Sequence, residues 1–222
     1  MLKPYGPHPH STTPKSLPLT FFDLIWLRFP PVQRLFFYEF PTLDDPNTNT
    51  TAFFHSAILQ RLKHSLSLTL QHFLPLAGNL TWPESSHKPV VVCAEGDAVS
   101  LTVAESDADF NLLSGSEDIL QATEYHPLLP NLAMSHDRAV TLALQVTLFL
   151  NSRFSIEMVA HHAILDGKTG YLFLKSWALT YRSCSSSAES SSAPCLRSSN
   201  HSTTEALSST QLGLIQSMSS TG

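Results

Sequence analysis

A chain of 222 residues, 42% of them hydrophobic, can bury one substantial core, and its formal net charge of -5, with thirteen scattered Lys and Arg, leaves no basic stripe for a nucleic-acid backbone. The first ten residues, Met1 to His10, hold no apolar core of the kind a secretory signal needs. The longest apolar-rich run, Ala139 to Leu150, is interrupted by Thr141, Gln145 and Thr147 and falls short of the roughly 20 residues of a membrane-spanning helix.

Residues 1–16 are rich in Pro, His, Ser and Thr and read as an extended lead-in, with regular structure expected from about Leu19. The dense apolar stretch Phe21 to Leu27 reads as core and stops at Pro30-Pro31, after which Val32 to Phe40 predicts a buried strand. A polar loop, Asp44 to Thr50, precedes a helical pattern over Thr51 to Phe73, with Phe54, Ile58, Leu62, Leu66 and Leu70 four apart and Leu59 and Phe73 widening the stripe. Pro75 ends that helix, and Gly78 starts a turn into a short strand, Asn79 to Trp82. Val90 to Ala94 and Val99 to Ala104 predict two strands joined as a hairpin through Glu95-Gly96-Asp97.

Residues 105–138 carry mixed signals, and only a short helix near Glu117 to Ala122 is expected there. Ala139 to Leu150 and Phe154 to His161 predict a hairpin of long central strands, and Lys168 to Tyr181 has the spacing of a following helix, with Leu172, Leu174, Trp177 and Leu179. After Arg182, Ser and Thr make up nearly half of the remaining residues and aromatic residues vanish, so 183–222 read as a Ser-rich, disordered tail. Cys93, Cys184 and Cys195 are odd in number and lack metal-ligand spacing, which fits a reducing compartment. The expectation is a soluble, cytoplasmic protein with no nucleic-acid or membrane partner, in which the triplets at Asn79 and Asn200 are not glycosylated.

One segment carries chemistry. His161-His162-Ala163-Ile164-Leu165-Asp166-Gly167 follows a strand and precedes a helix. Acyl transfer to a hydroxyl needs a base to take the hydroxyl proton, and an imidazole held at a strand exit suits that task at neutral pH. On this reading His162 points into a cleft, Asp166 anchors the loop by pairing with a basic group, and Gly167 permits the tight turn. The same residues also fit an ordinary Asp-Gly turn beside a packed histidine pair. Zinc binding by His161, His162 and Asp166 is disfavoured, because adjacent strand residues point to opposite faces. Gly167-Lys168-Thr169 fails as a phosphate loop, since His162 stands where that loop needs glycine.

Three landmarks in order, Leu17-Pro18-Leu19-Thr20-Phe21-Phe22-Asp23-Leu24, His72-Phe73-Leu74-Pro75-Leu76-Ala77-Gly78-Asn79 and His161 through Thr169, resemble the N-terminal half of the plant BAHD acyltransferases. More narrowly they resemble the branch that malonylates or hydroxycinnamoylates the sugars of anthocyanins and other phenolic glucosides in plant secondary metabolism. The resemblance covers residues 17–182 and implies a chloramphenicol acetyltransferase-like α/β fold, a mixed sheet flanked by helices, as one of the two domains of such an enzyme. It implies His162 as general base, Asp166 held by an arginine away from the substrate, Gly167 completing the turn, and no catalytic role for Phe21 to Trp26 or Leu74 to Gly78. It further implies a usually monomeric enzyme that keeps no permanent cofactor and uses malonyl-CoA or hydroxycinnamoyl-CoA as co-substrate.

Family members run to about twice this length, with a second domain supplying most coenzyme A contacts, so cofactor-binding residues stay unassigned here. The chain is expected to be a truncated or frame-shifted piece, weakly active or inactive alone. A non-catalytic remnant that binds a partner is the alternative. A chloramphenicol acetyltransferase or a peptide-synthetase condensation domain shares the histidine motif but not the first two landmarks.

Overall fold

The computed structural model describes residues 1–4, 15–39, 49–84, 86, 88–115, 120–150, 153–186 and 197–198. In chain order these form strand β1 (Lys15–Pro18), helix α1 (Phe21–Ile25) with a 3-10 turn at Trp26–Arg28, strand β2 (Val32–Glu39), helix α2 (Thr50–Phe53), a π turn (Phe54–Ile58) and helix α3 (Leu59–Leu70). A 3-10 turn at Leu74–Leu76 leads to β3 (Asn79–Thr81), β4 (Val90–Cys93), β5 (Ser100–Ser106), helix α4 (Phe110–Ser114) and a 3-10 segment at Ala122–Leu128. Then come β6 (Arg138–Val140), β7 (Leu142–Phe149), β8 (Arg153–Ala160), helix α5 (Gly167–Ser186) and β9 (Arg197–Ser198). Among these residues no helix is long and apolar enough to cross a membrane.

The strands form two sheets. The larger has the order β5-β7-β8-β2-β9, with β5 parallel to β7 and the other pairs antiparallel, and the smaller is an antiparallel sheet of order β1-β4-β3-β6. Strand alternation sends Leu142, Leu144, Val146 and Leu148 of β7, and Phe154, Ile156, Met158 and Ala160 of β8, to one face, where they share a core with α3 and α5. Each such side chain contributes about 1.5–3 kcal/mol when fully buried. The opposite face is covered too. Phe110, Leu113 and Leu128 pack on Phe149, and Leu132 packs on Ala143 and Val159. A sheet buried on both faces explains why the two central strands read as almost unbroken apolar runs.

The long helical stripe forms as its spacing predicts, with Phe54, Ile58, Leu59, Leu62, Leu66 and Leu70 all buried. An every-fourth-residue stripe drifts by about 40° per step on an ideal α-helix, and the π turn at Phe54–Ile58 rewinds part of that drift. Helix α5 docks on α3 through Phe173, Trp177 and Tyr181. Trp177 Nε1 donates to Ser65 Oγ at 3.0 Å and to the Leu62 carbonyl at 3.3 Å. Leu179, expected on this stripe, faces outward instead.

Several sequence expectations are corrected. The turn at Glu95-Gly96-Asp97 exists, with Gly96 at φ 93° and the Ala94 N–H donating to Asp97 Oδ2 at 2.8 Å, but it joins no hairpin. Strand β4 stays in the small sheet while β5 crosses to the large one and runs parallel to β7. Order also begins earlier than Leu19: β1 pairs with β4, and Leu2 bridges Val99. The helix expected near Glu117 lies partly outside the described residues; helical turns form on either side of it, at Phe110–Ser114 and Ala122–Leu128. Helix α5 continues past Arg182 to Ser186, and Arg197–Ser198 pairs with the end of β2; most of the remaining tail lies outside the described residues.

Gly78 is required for a different reason than its turn. A Cβ there would stand 2.6 Å from the Val92 carbonyl oxygen and 2.9 Å from Cys93 Sγ, so only glycine lets the His72–Asn79 segment lie against β4.

Glu157 sits fully buried on the covered face of β8. Thr147 Oγ1 donates to its Oε2 at 3.3 Å, Ser155 Oγ donates to its Oε1, and Gln145 Nε2 donates to Thr147 Oγ1 at 3.1 Å. Burial pushes the carboxyl up from 4.5 to about 8, outweighing the two hydroxyl donors that favour its charged form. A raised acid pKa means that the folded state holds the proton more tightly than the unfolded chain. This contribution to stability is therefore complete below about pH 4.5 and lost as pH rises through about 8. Glu157→Gln is expected to remove that loss: urea unfolding at several pH values should show the variant gaining on the parent between pH 5 and 9 by up to a few kcal/mol, about 1.4 per tenfold change in proton affinity. Parallel stability curves for the two proteins would refute it.

Candidate active site

The site is built around Thr141, the single residue between β6 of the small sheet and β7 of the large one. Its side chain is fully buried, with Oγ1 lying 2.8 Å from the Leu76 carbonyl oxygen and 3.1 Å from those of Pro75 and Gly78. Its own carbonyl accepts from the His161 N–H at 2.9 Å. The second and third sequence landmarks are thus joined through one threonine.

From that exit the chain turns sharply, the His161 carbonyl accepting from the N–H groups of Ile164 and Leu165 at 2.9 and 3.2 Å. Ala163 inserts into the core of the small sheet with Leu19, Leu80, Val91 and Ala139, and Leu165 inserts into the core of the large sheet. The motif therefore straddles both cores. His161 is buried, and its Nδ1 accepts from the Ala163 N–H at 3.3 Å. Burial, and then the neighbouring His162, hold its imidazole below the ordinary histidine value. His161 is accordingly a packed, neutral structural residue.

His162, next along the chain, is only partly buried. Its Nδ1 is buried and has no hydrogen-bond partner among the described residues. The ring lies flat against Trp26, with centroids 4.4 Å apart and planes 6° from parallel, and Phe29 meets it edge-on at 6.0 Å.

Asp166 accepts from the Thr169 N–H through Oδ1 at 2.6 Å, which makes it the cap of α5. Gly167 opens the helix. Its φ is not left-handed, and a Cβ there would meet nothing within 4 Å, so the tight turn, which spans residues 162–164, does not depend on it.

The first landmark supplies the wall beside His162. Thr20 and Asp23 form a reciprocal cap on α1: the Thr20 N–H and hydroxyl both donate to Asp23 Oδ2 at 2.7 Å, and the Asp23 N–H donates back to Thr20 Oγ1 at 3.3 Å. Asp23 is buried, whereas Phe21 is 74% exposed, Trp26 37% and Phe29 50%. The expectation that Phe21 to Trp26 are core is thus overturned. The segment turns its carboxylate inward, with Leu24 and Leu27 against the small-sheet core, and its aromatic rings outward. Spacing could not show this, since a five-residue helix carries too little periodicity to say which side is covered.

This architecture, a mixed sheet and a smaller sheet with the His-x-x-x-Asp segment at a strand exit between them, is that of an acyltransferase domain. Vinorine synthase, a solved structure, shares the fold with a TM-score of 0.60 and 24% identity, the match covering 82% of this chain and 41% of that one. The chain belongs to the Transferase family, the BAHD acyltransferases, whose family model matches residues 6–211. Among similar proteins, phenolic glucoside malonyltransferase 2 of Arabidopsis thaliana is 50% identical over 163 residues, covering 73% of this chain and 35% of the relative. Malonyl-CoA:anthocyanidin 5-O-glucoside-6''-O-malonyltransferase of the same plant is 48% identical over 172 residues, 77% of this chain and 36% of the relative. The chain spans about a third of the length of these curated relatives.

The two residues that follow the turn should respond differently to substitution. Asp166→Ala is expected to cost about 1 kcal/mol through loss of the helix cap. Gly167→Ala should be neutral or stabilise by about 0.4–1 kcal/mol, because alanine restricts the unfolded chain and meets open space. Urea midpoints of the two variants measure the contrast, and a Gly167→Ala protein as unstable as Asp166→Ala would restore the turn to glycine.

Proposed function

We propose that the family reaction of this chain is malonyl, or alternatively hydroxycinnamoyl, transfer from acyl-CoA to a hydroxyl of a phenolic or flavonoid glucoside, with His162 as general base. The carrying observation is the partly buried imidazole at the strand exit, whose Nδ1 is buried, leaving Nε2 as the nitrogen to meet an acceptor. Its similarity to malonyltransferases of phenolic and anthocyanidin glucosides supports malonyl-CoA as donor and a glucoside as acceptor. In this reading Nε2 takes the hydroxyl proton as the oxygen attacks the thioester carbonyl. The tetrahedral adduct then collapses, the C–S bond breaks, and the imidazolium returns the proton to the departing coenzyme A sulfur. Asp166 serves the motif through the cap of α5. Free Cys93 and Cys184 fit the reducing, cytoplasmic location proposed for it, and burial pushes the Cys93 thiol up to about 11, which makes it a poor nucleophile.

A second reading, a weakly active or non-catalytic remnant, is favoured by the exposed wall of Phe21, Phe22, Ile25, Trp26 and Phe29. A site open on that side does not exclude water or enclose a donor. The isolated chain is expected to release little or no thiol from malonyl-CoA in the presence of a phenolic glucoside. Grafting residues 15–182 onto the remainder of the Arabidopsis phenolic glucoside malonyltransferase should restore turnover, and His162→Ala in that chimera should lower kcat roughly 10²- to 10⁴-fold. Full turnover by the isolated chain would sink the remnant reading. An active chimera indifferent to His162→Ala would sink the base.

A further inference from the structure

A base histidine is ordinarily oriented by an acceptor on its second ring nitrogen, which fixes both the plane of the ring and the tautomer. His162 has no such partner among the described residues, because Nδ1 is buried without a hydrogen bond. What touches the ring is aromatic. Trp26 lies parallel to it at 4.4 Å, Phe29 meets its edge at 6.0 Å, and Phe29 also braces Trp26 edge-on at 4.7 Å. The platform is itself held, since the turn at Trp26–Arg28 continues directly from α1, whose cap is formed by Thr20 with the buried Asp23 carboxylate, and Leu24 and Leu27 pack against the small-sheet core.

We propose that Trp26 is the positioning residue of His162: its indole face, in place of a hydrogen bond, sets the imidazole plane and stabilises the imidazolium that forms when the ring takes a proton. This rests on the reading of His162 as the base. The face of an indole is negative and attracts a cation stacked upon it, so the contact strengthens as charge develops on the imidazole. An interaction stronger in the charged state than in the neutral one lowers a barrier, whereas uniform packing does not. Of the titratable and charged groups on the segments that meet here, His161 interacts with it directly, while Asp166 lies on the α5 cap and Arg28 on the turn between Trp26 and Phe29.

The test needs no turnover. In the full chain with labelled histidine, the His162 ring resonances, identified by their loss in His162→Gln, are followed by NMR through the range in which imidazoles protonate, about pH 5 to 8. Stacking predicts upfield-displaced ring protons in the parent. Trp26→Leu should abolish the displacement and lower the proton affinity of His162 roughly two- to tenfold, and Trp26→Phe should recover much of both. His161→Gln serves as control and should not reproduce the effect. Unchanged proton affinity in folded Trp26→Leu would overturn the proposal, as would a Phe variant no better than the Leu one. Should Trp26→Leu fail to fold, the parent still decides. Its Trp fluorescence should drop as His162 protonates, and this drop should vanish in His162→Gln. A parent with neither quenching nor displaced resonances has no stack, and the proposal fails. The base reading fails separately, by an active chimera that ignores His162→Ala.

Discussion

The position of His162 depends on Thr141. A hydroxyl has one proton to give, and Thr141 Oγ1 places it among three carbonyls of the Pro75 to Gly78 turn, the nearest at 2.8 Å, in a region without exposed surface. Those carbonyls belong to a turn after a helix end, where backbone acceptors lack partners within the helix. Leaving one of them unpaired in the interior would cost about 1–3 kcal/mol. The same residue's backbone oxygen fixes the first residue of the motif. One side chain thus holds the second landmark while its main chain holds the third, and both sheets begin or end at that point.

The first landmark obeys the opposite rule from an ordinary amphipathic helix. Its charged residue is inside, engaged by Thr20, and its large rings are outside. Such an arrangement is stable because the carboxylate is satisfied where it lies and because short-range packing by Leu19, Leu24 and Leu27 fixes the segment. The consequence is an aromatic surface on which Trp26 and Phe29 both meet the imidazole.

Much of the fold was legible in the sequence. The helix from Phe54 to Leu70, the hairpin of β7 and β8 and the helix after the motif follow from period and turn chemistry, which act locally. The motif residues were singled out by their spacing, and the structure places them: His161 buried, His162 part-buried against Trp26, Asp166 on the cap of α5. What stayed hidden was non-local. Nothing in Val90 to Ala104 shows that two strands across a good turn enter different sheets, because strand partners are chosen by distant segments. Thr141 read as an interruption of an apolar run, and Glu157 as an ordinary strand residue. Thr141 has meaning only through a segment far away in sequence, Pro75 to Gly78, and Glu157 through its burial and the hydroxyls of Ser155 and Thr147. Exposure of Phe21 to Phe29 was likewise invisible, since hydrophobicity alone does not say whether a partner surface is present.

The register of the large sheet has a bearing on how the chain comes to be made. Strand β2 pairs along its whole length with β8, Val32 with Ala160 and Glu39 with Arg153, and on its other side only Tyr38 and Glu39 pair, with β9. During synthesis β2 must therefore wait, both edges unpaired, until β8 has left the ribosome, and the aromatic segment just ahead of it waits as well. Sheets closed by such distant partners form slowly and expose sticky surface in the interval. The aromatic segment ahead of β2 thus finds its surroundings late, so recovery of folded protein should depend on how it is shielded during translation.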